Sequence, residues 1–148
     1  MTSLAERVEP LLLCVPYAPG LDDRLPDAQV VAARPSGPST RPGRPYALFG
    51  HGPGAPAALE LARSLRDSPP STLVVSGCPA PPPPDDQLDC RLVVLAELTE
   101  PSDLEAAERW RSHTQGSFAV RPVPAGIDGL ADALAAELAV VAERTAAT

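Results

Sequence analysis

The sequence predicts an α/β fold built on a mainly parallel sheet, and three observations lead to that prediction. Short apolar runs alternate with longer segments of helical periodicity along the 148 residues. The apolar runs are continuous, which is typical of strands buried on both faces. Loop signals, above all the 20 prolines, separate these segments. A chain of this length is expected to form a single domain over residues 1–148.

Six apolar runs are predicted to be strands. In chain order they are Leu11–Val15, Gln29–Ala33, Tyr46–Phe49, Thr72–Ser76, Arg91–Ala96 and Phe118–Arg121. The links at 34–44 and 78–90 have no helical pattern, although parallel neighbours usually need a crossover helix. Part of the sheet surface is therefore predicted to have no helix packed against it. Exposed apolar sheet would favour a homodimer or a partner protein.

Three helices are predicted from apolar residues that recur on one face. The first is Ala55–Arg66, with Ala58, Leu61, Ala62 and Leu65 on its predicted buried face. The second is Asp103–Ser112, with Leu104, Ala107 and Trp110 on that face. The third is Ile127–Arg144, with Leu130, Leu134, Leu138 and Val141 on that face. The spacing of Ser102 and Glu105 indicates a capping box at the start of the second helix.

Composition excludes several classes of function. The net charge of −7 argues against nucleic acid as a partner, because phosphate binding needs a basic surface. All 12 basic residues are arginine, so no lysine is available for Schiff-base chemistry. Two histidines are too few for a typical His/Cys metal cage, and no metal or other cofactor is predicted. The apolar run near the N-terminus is too short for a signal peptide or a membrane span, so a cytoplasmic protein without membrane contact is expected.

The cysteines share no metal-binding or redox spacing. Cys14 lies in a predicted strand and is interpreted as a small buried apolar residue. Cys78 and Cys90 bracket the proline-rich link at 78–90. A nucleophilic role for either would need a nearby base, and the sequence places none.

The segment from Tyr46 to Gly54 runs from a strand directly into a helix and has the shape of a nucleophile elbow, G-x-S-x-G. The nucleophile position is Gly52, which has no reactive side chain but tolerates the strained backbone. The next residue, Pro53, has no N–H to serve as an oxyanion donor, and one lost donor costs about 10²–10³ in rate. The elbow is therefore interpreted as a structural element without its usual chemistry.

Several segments in conserved order resemble the type II thioesterases of polyketide and nonribosomal peptide pathways. Residues 12–20 (LLCVPYAPG) resemble the family's first strand and its F-P-x-A-G-G loop. Residues 46–65 resemble Y-x-x-F-G-H-S-M-G-A and the helix after it, and residues 75–81 resemble V-S-G-x-x-A-P. Residues 91–126 resemble the late strand, the W-x-x-x-T-x-G-x-F motif and the segment that leads to G-G-H-F. The resemblance implies a truncated α/β-hydrolase-like fold.

The departures from the family pattern concern its catalytic triad and its lid. The family's serine, acid and histidine fall on Gly52, Glu100 and Ile127. The helical lid that follows V-S-G-x-x-A-P is missing, since only residues 81–88 stand in its place, and the helices before the elbow are also predicted to be missing. The resemblance therefore implies a protein that does not hydrolyse thioesters by the Ser-His-Asp route, with a site that is open or completed by a partner.

Six residues form the candidate pocket: Tyr17, His51, Gly52, Pro53, Glu100 and Asp128. Tyr17, beside the family's oxyanion loop, is a candidate for a hydrogen bond to substrate, and the other polar members have ordinary alternatives. His51 would pack or hydrogen-bond, Glu100 would be a solvated turn carboxylate, and Asp128 would cap the last helix. His113 is expected at the surface near a helix end. Arg41 and Arg44 are weaker candidates for contact with a phosphate or an acidic carrier protein.

Two functional hypotheses remain open from the sequence. The first is a non-hydrolytic, thioesterase-like protein of specialised-metabolite or antibiotic biosynthesis that binds a partner enzyme, a carrier protein or an acyl intermediate. The second is a repurposed enzyme that catalyses cyclisation or isomerisation of a polyketide-type intermediate with acid and base groups and without a nucleophile.

Overall fold

A computed structural model describes residues 11–15, 29–32, 46–52, 54–65, 70–82, 87–97, 101–124 and 127–147. At 11–15, 29–32, 101, 127–128 and 140–147 it describes the backbone only. Six strands form one sheet: β1 (Leu11–Val15), β2 (Gln29–Ala32), β3 (Tyr46–His51), β4 (Thr72–Ser76), β5 (Arg91–Ala96) and β6 (Phe118–Pro122). The spatial order is β2-β1-β3-β4-β5-β6, and every neighbouring pair is parallel.

The strand predictions are confirmed, with two small differences at the ends. β2 is described as far as Ala32, since Ala33 lies outside the described residues, and β6 runs one residue further than predicted. β3 continues past Phe49 to His51, because Gly50 and His51 still pair with Val75 and Ser76 of β4. This extension carries the histidine to the carboxyl edge of the sheet, where ligands bind in open α/β sheets.

In the part of the chain that the structure describes, three α-helices and one short 3₁₀ helix accompany the sheet. They are α1 (Gly54–Ser64), α2 (Pro101–Glu108), the 3₁₀ helix (Arg109–His113) and α3 (Ile127–Ala147). α2 begins at Pro101, a residue that favours the first helical position, so Ser102 lies inside the helix and not at its cap as predicted. Leu104, which was expected on the buried face, is 45% exposed, whereas Ala107 and Trp110 are buried.

The helices cover the two faces of the sheet and create two apolar clusters. On one face α1, Ala107 of α2 and Trp110 of the 3₁₀ helix pack against β3, β4 and β5. On the other face α3 packs through Ala131, Leu134 and Leu138. The predicted faces of α1 and α3 are confirmed where side chains are described.

The expected uncovered sheet surface is not found in the central strands. All residues of β4, the first five of β3 and the middle four of β5 are buried, while the edge strand β6 is only partly buried. The side chains of β1 and β2 and the link at 34–44, including Arg41 and Arg44, lie outside the described residues. The described part of the link at 78–90 has no helix, as predicted.

The 3₁₀ helix holds the segment at 78–82 through hydrogen bonds to its carbonyl groups. The indole N–H of Trp110 donates to the carbonyl of Cys78 at 3.1 Å, and Nε2 of His113 lies 3.0 Å from the carbonyl of Pro81. His113 is only 1% exposed and packs against the Trp110 ring. The prediction of a surface histidine is therefore wrong, because the α-helix changes to a 3₁₀ helix and turns this side chain inward.

Thr114 is expected to stabilise the entry into β5. Its hydroxyl lies 3.0 Å from the carbonyl of Leu88 and 2.6 Å from that of Cys90, and it accepts the N–H of Gly116 at 3.0 Å. Thr114→Val keeps the shape but removes the hydroxyl partner of the Cys90 carbonyl and of the Gly116 N–H, while the Leu88 carbonyl keeps the N–H of Gln115 at 2.8 Å. We expect this loss to lower the free energy of unfolding by about 1–2 kcal/mol. Urea unfolding of both proteins measures this change. Equal stability would show that water or neighbouring groups replace the hydroxyl.

Candidate functional site

The turn after β3 has the backbone geometry of a nucleophile elbow. Gly52 has a positive φ of 58°, and its N–H donates to the carbonyl of Ser76 at 2.8 Å. A Cβ on Gly50 would meet the carbonyl oxygen of Gly54 at 2.5 Å and the Cβ of Ala58 at 2.7 Å. The two outer glycines therefore let α1 approach the end of β3 closely, as the elbow motif requires.

The elbow leaves open space where a nucleophile would stand. Apart from the residues adjacent to Gly52 in the chain, no atom of the described residues would lie within 4 Å of a Cβ on Gly52. The turn thus keeps the conformation that presents a side chain at the sheet edge, but the side chain is missing. The proline that follows, Pro53, lies outside the described residues.

Beside the elbow, His51 and Ser76 form a polar pair. They are register partners in β3 and β4, so their side chains lie on the same face of the sheet. Nδ1 of His51 is 2.6 Å from the Ser76 hydroxyl. His51 is exposed while Ser76 is 3% exposed, so the pair joins a buried hydroxyl to a solvent-facing imidazole.

A cavity of about 340 Å³ opens at the carboxyl edge of the sheet, next to this pair. Its size falls within the range of small-molecule sites. The polar lining consists of His51, Ser76, Cys78, Glu97 and Asp103, and the apolar lining includes Leu95, Ala106, Ala107, Val123 and Leu130. An apolar pocket with a few polar groups at one edge is suited to an acyl chain that carries a carbonyl group.

Neither described cysteine has the properties of a nucleophile. Burial raises the pKa of the Cys78 thiol, which lines the cavity, and that of the Cys90 thiol to about 11. Both thiols are therefore protonated at neutral pH, whereas a nucleophilic cysteine needs its thiolate form. This agrees with the interpretation of both residues as non-catalytic.

The structure places some of the predicted site residues and leaves others undescribed. His51 and Gly52 adjoin one another at the sheet edge. Tyr17, Pro53 and Glu100 lie outside the described residues. Ile127 and Asp128 open α3, as predicted, but their side chains are not described.

Sequence reasoning missed three polar groups of the cavity, namely Ser76, Glu97 and Asp103. Ser76 was part of the V-S-G motif, so its presence near the site was visible. The contact of Ser76 with His51 was not visible from the sequence, because packing sets the register of two strands that are separated by 20 residues.

The described residues contain no group of three or more His, Cys, Asp or Glu side chains arranged to hold a metal ion. Among the helices that the structure describes, none combines the length and apolar character needed to cross a membrane.

Several solved thioesterase structures are similar to this chain over most of their length. RedJ, a thioesterase from the prodiginine biosynthetic pathway in Streptomyces coelicolor, has a TM-score of 0.66 and 22% identity over 90% of each chain. BorB, the type II thioesterase from the borrelidin biosynthetic cluster, has a TM-score of 0.65 and 19% identity over 93% of each chain. ClbQ, from the colibactin NRPS/PKS pathway, has a TM-score of 0.61 and 15% identity over 92% of this chain and 96% of its own.

At these identities the similarity establishes the fold. The chain has the α/β-hydrolase fold found in type II thioesterases, which confirms the fold class and the resemblance predicted from the motifs. No family model matches the sequence, and no curated protein matches it either.

Proposed function

We propose that this α/β-hydrolase-fold chain is a non-hydrolytic thioesterase-like protein that binds an acyl intermediate of a polyketide or nonribosomal peptide pathway. The observation that carries the proposal is Gly52, which holds the strained elbow conformation over an open space without a nucleophile. The sequence also has Ile127 at the family's histidine position, so the general base is replaced as well. The pathway context comes from the solved thioesterases with the same fold.

The cavity supports binding as the remaining activity of this site. Its apolar walls, formed in part by Leu95, Ala106 and Leu130, suit an acyl chain, and a ring N–H of His51 suits the carbonyl oxygen. Loss of the nucleophile removes the covalent step and leaves the binding surfaces in place. A bound thioester would therefore stay intact.

The second candidate is a cyclase or isomerase that works by acid–base chemistry. The specific observation in its favour is that His51, Glu97 and Asp103 border the same cavity. Such groups can move protons in an intermediate that needs no covalent attachment to the protein. Glu100, Tyr17 and Asp128 remain candidates for this chemistry from the sequence alone.

Binding without hydrolysis is the expected result with hexanoyl-N-acetylcysteamine as the acyl thioester probe. Trp110, the single tryptophan, is a suitable reporter because its indole donates to the carbonyl of Cys78 at the cavity wall. We expect a saturable change in fluorescence, while chromatography detects no thioester cleavage above the rate in buffer. Gly52→Ser should also fail to cleave the probe, because the chain has no base at position 127.

Two leucine substitutions provide a matched control for the binding site. Ala106→Leu fills part of the cavity and should abolish binding, whereas Ala135→Leu makes the same change on the exposed side of α3 and should not. Thioester cleavage by the wild-type protein would refute the proposal. Conversion of 3,5-dioxohexanoyl-N-acetylcysteamine to a ring or an isomer faster than in buffer would establish the second candidate instead.

The carrier protein, the partner enzyme and the homodimer remain part of the proposal. A carrier protein would deliver the acyl group as a thioester, and an open sheet edge without a lid would admit its prosthetic arm. Size-exclusion chromatography with and without an acylated carrier protein distinguishes a monomer, a homodimer and a complex.

A further inference from the structure

The imidazole of His51 is held in one orientation by three different contacts. Nδ1 is hydrogen-bonded to Ser76, and the ring stacks on Phe49 with centroids 6.5 Å apart. Gly77 leaves room for the ring, since a Cβ there would lie 2.9 Å from Cε1 of His51. A solvent-facing side chain held in this way has lost much of its rotamer freedom, which lowers the entropy cost of contacting a ligand.

The hydrogen bond with Ser76 can run in either direction, depending on which ring nitrogen of His51 carries the proton. A buried hydroxyl that donates to Nδ1 selects the neutral tautomer with its proton on Nε2. In that tautomer Nε2–H is the group that the ring can offer to a ligand in the cavity, which His51 lines.

We propose that the Ser76 hydroxyl donates to Nδ1 of His51, that Nε2–H of His51 holds the carbonyl oxygen of the bound acyl compound, and that Ser76 is therefore its positioning residue. This inference rests on the proposed binding function and names the group that recognises the ligand. A neutral imidazole can polarise a carbonyl in this way without acting as a base. The chemical class of ligand is an acyl thioester or a related ketone whose oxygen reaches the edge of the cavity.

The test compares two probes that differ only in the carbonyl group. Hexanoyl-N-acetylcysteamine carries it, and S-hexyl-N-acetylcysteamine has a methylene in its place. We expect the wild-type protein to bind the thioester about fivefold to tenfold more tightly, which corresponds to one hydrogen bond. His51→Phe, which can still stack on Phe49, should bind both probes equally.

Two further variants separate donation from packing. His51→Gln retains an N–H near the position of Nε2 and should keep part of the preference for the thioester. Ser76→Ala leaves the imidazole but frees its orientation, so the preference should fall by about half and the nitrogen NMR signals should show a mixture of tautomers. His113, the other histidine, provides an internal reference for these spectra because it is buried and contacts Pro81.

The outcomes distinguish this inference from the function on which it rests. If the wild-type protein binds both probes but His51→Phe keeps the preference for the thioester, the role of His51 is refuted and binding stands. If the wild-type protein shows no preference, the inference is likewise refuted. If neither probe binds, the proposed acyl-binding function itself fails, and the inference fails with it.

Discussion

Replacing Gly50 with alanine is expected to lower the free energy of unfolding by about 3 kcal/mol, because the new methyl group has no space. Its Cβ would lie 2.5 Å from the carbonyl oxygen of Gly54, 2.7 Å from the Cβ of Ala58 and 2.8 Å from the Cα of Ala55. These atoms belong to the first turns of α1, so relief of the overlap requires the whole helix to move. Thermal unfolding should show a decrease of roughly 10 °C in Tm.

Gly52→Ala is the matched control for this substitution. It also adds one methyl group to an elbow glycine, but beyond the adjacent residues none of the described atoms lies within 4 Å of the new Cβ. The positive φ of 58° is its main cost, about 1 kcal/mol. If the two variants proved equally stable, α1 would not be tightly packed against the end of β3, and the elbow geometry would be in doubt.

Removing the charge of Glu137 is expected to destabilise the protein by about 3 kcal/mol. Its carboxylate on α3 is fully buried and pairs with Arg91 of β5 at 3.2 Å and with Arg121 of β6 at 2.6 Å. Glu137→Gln keeps the size of the side chain but leaves both guanidinium groups without their counter-charge. Urea unfolding should show a lower midpoint. In a separate hydrogen-exchange experiment, the amides of α3 and of the edge strand β6 should lose protection first.

Glu60→Gln provides the control for loss of an ion pair. Glu60 pairs with Arg63 on α1 at 3.0 Å, but its side chain is 67% exposed. Surface pairs of this kind contribute between about 0 and 1 kcal/mol, so little change is expected. Equal stability of the Glu137 and Glu60 variants would mean that the buried cluster contributes no more than a surface pair.

Local patterns were sufficient to predict the elements of this fold. Strands that are buried on both faces are largely apolar, so β4 and β5 were predicted with their observed bounds. The continuous apolar run of β1 was likewise predicted with its observed bounds. The first turn of α3 was also predicted at Ile127. The start of α2 was not predicted correctly. The helix begins at Pro101, which favours the first helical position, and not at Asp103 as the capping pattern of Ser102 and Glu105 indicated.

Part of the site was also visible before the structure. The glycine spacing of the elbow is a local property of the backbone, so the missing nucleophile at Gly52 followed from its position in the motif. His51 was a candidate for the same reason. Tyr17, Pro53, Glu100 and the side chain of Asp128 lie outside what the structure describes, and they remain predictions.

The sequence by itself determined the strands, the helices and the loss of the nucleophile, because these depend on residues close together along the chain. Only the tertiary structure decided that Ser76 holds His51 and that Glu137 is buried between two arginines. A glutamate in the middle of a long helix normally faces water, and nothing nearby in the sequence indicates otherwise. Its partners lie 46 and 16 residues away, and only sheet register and helix packing bring such charges together.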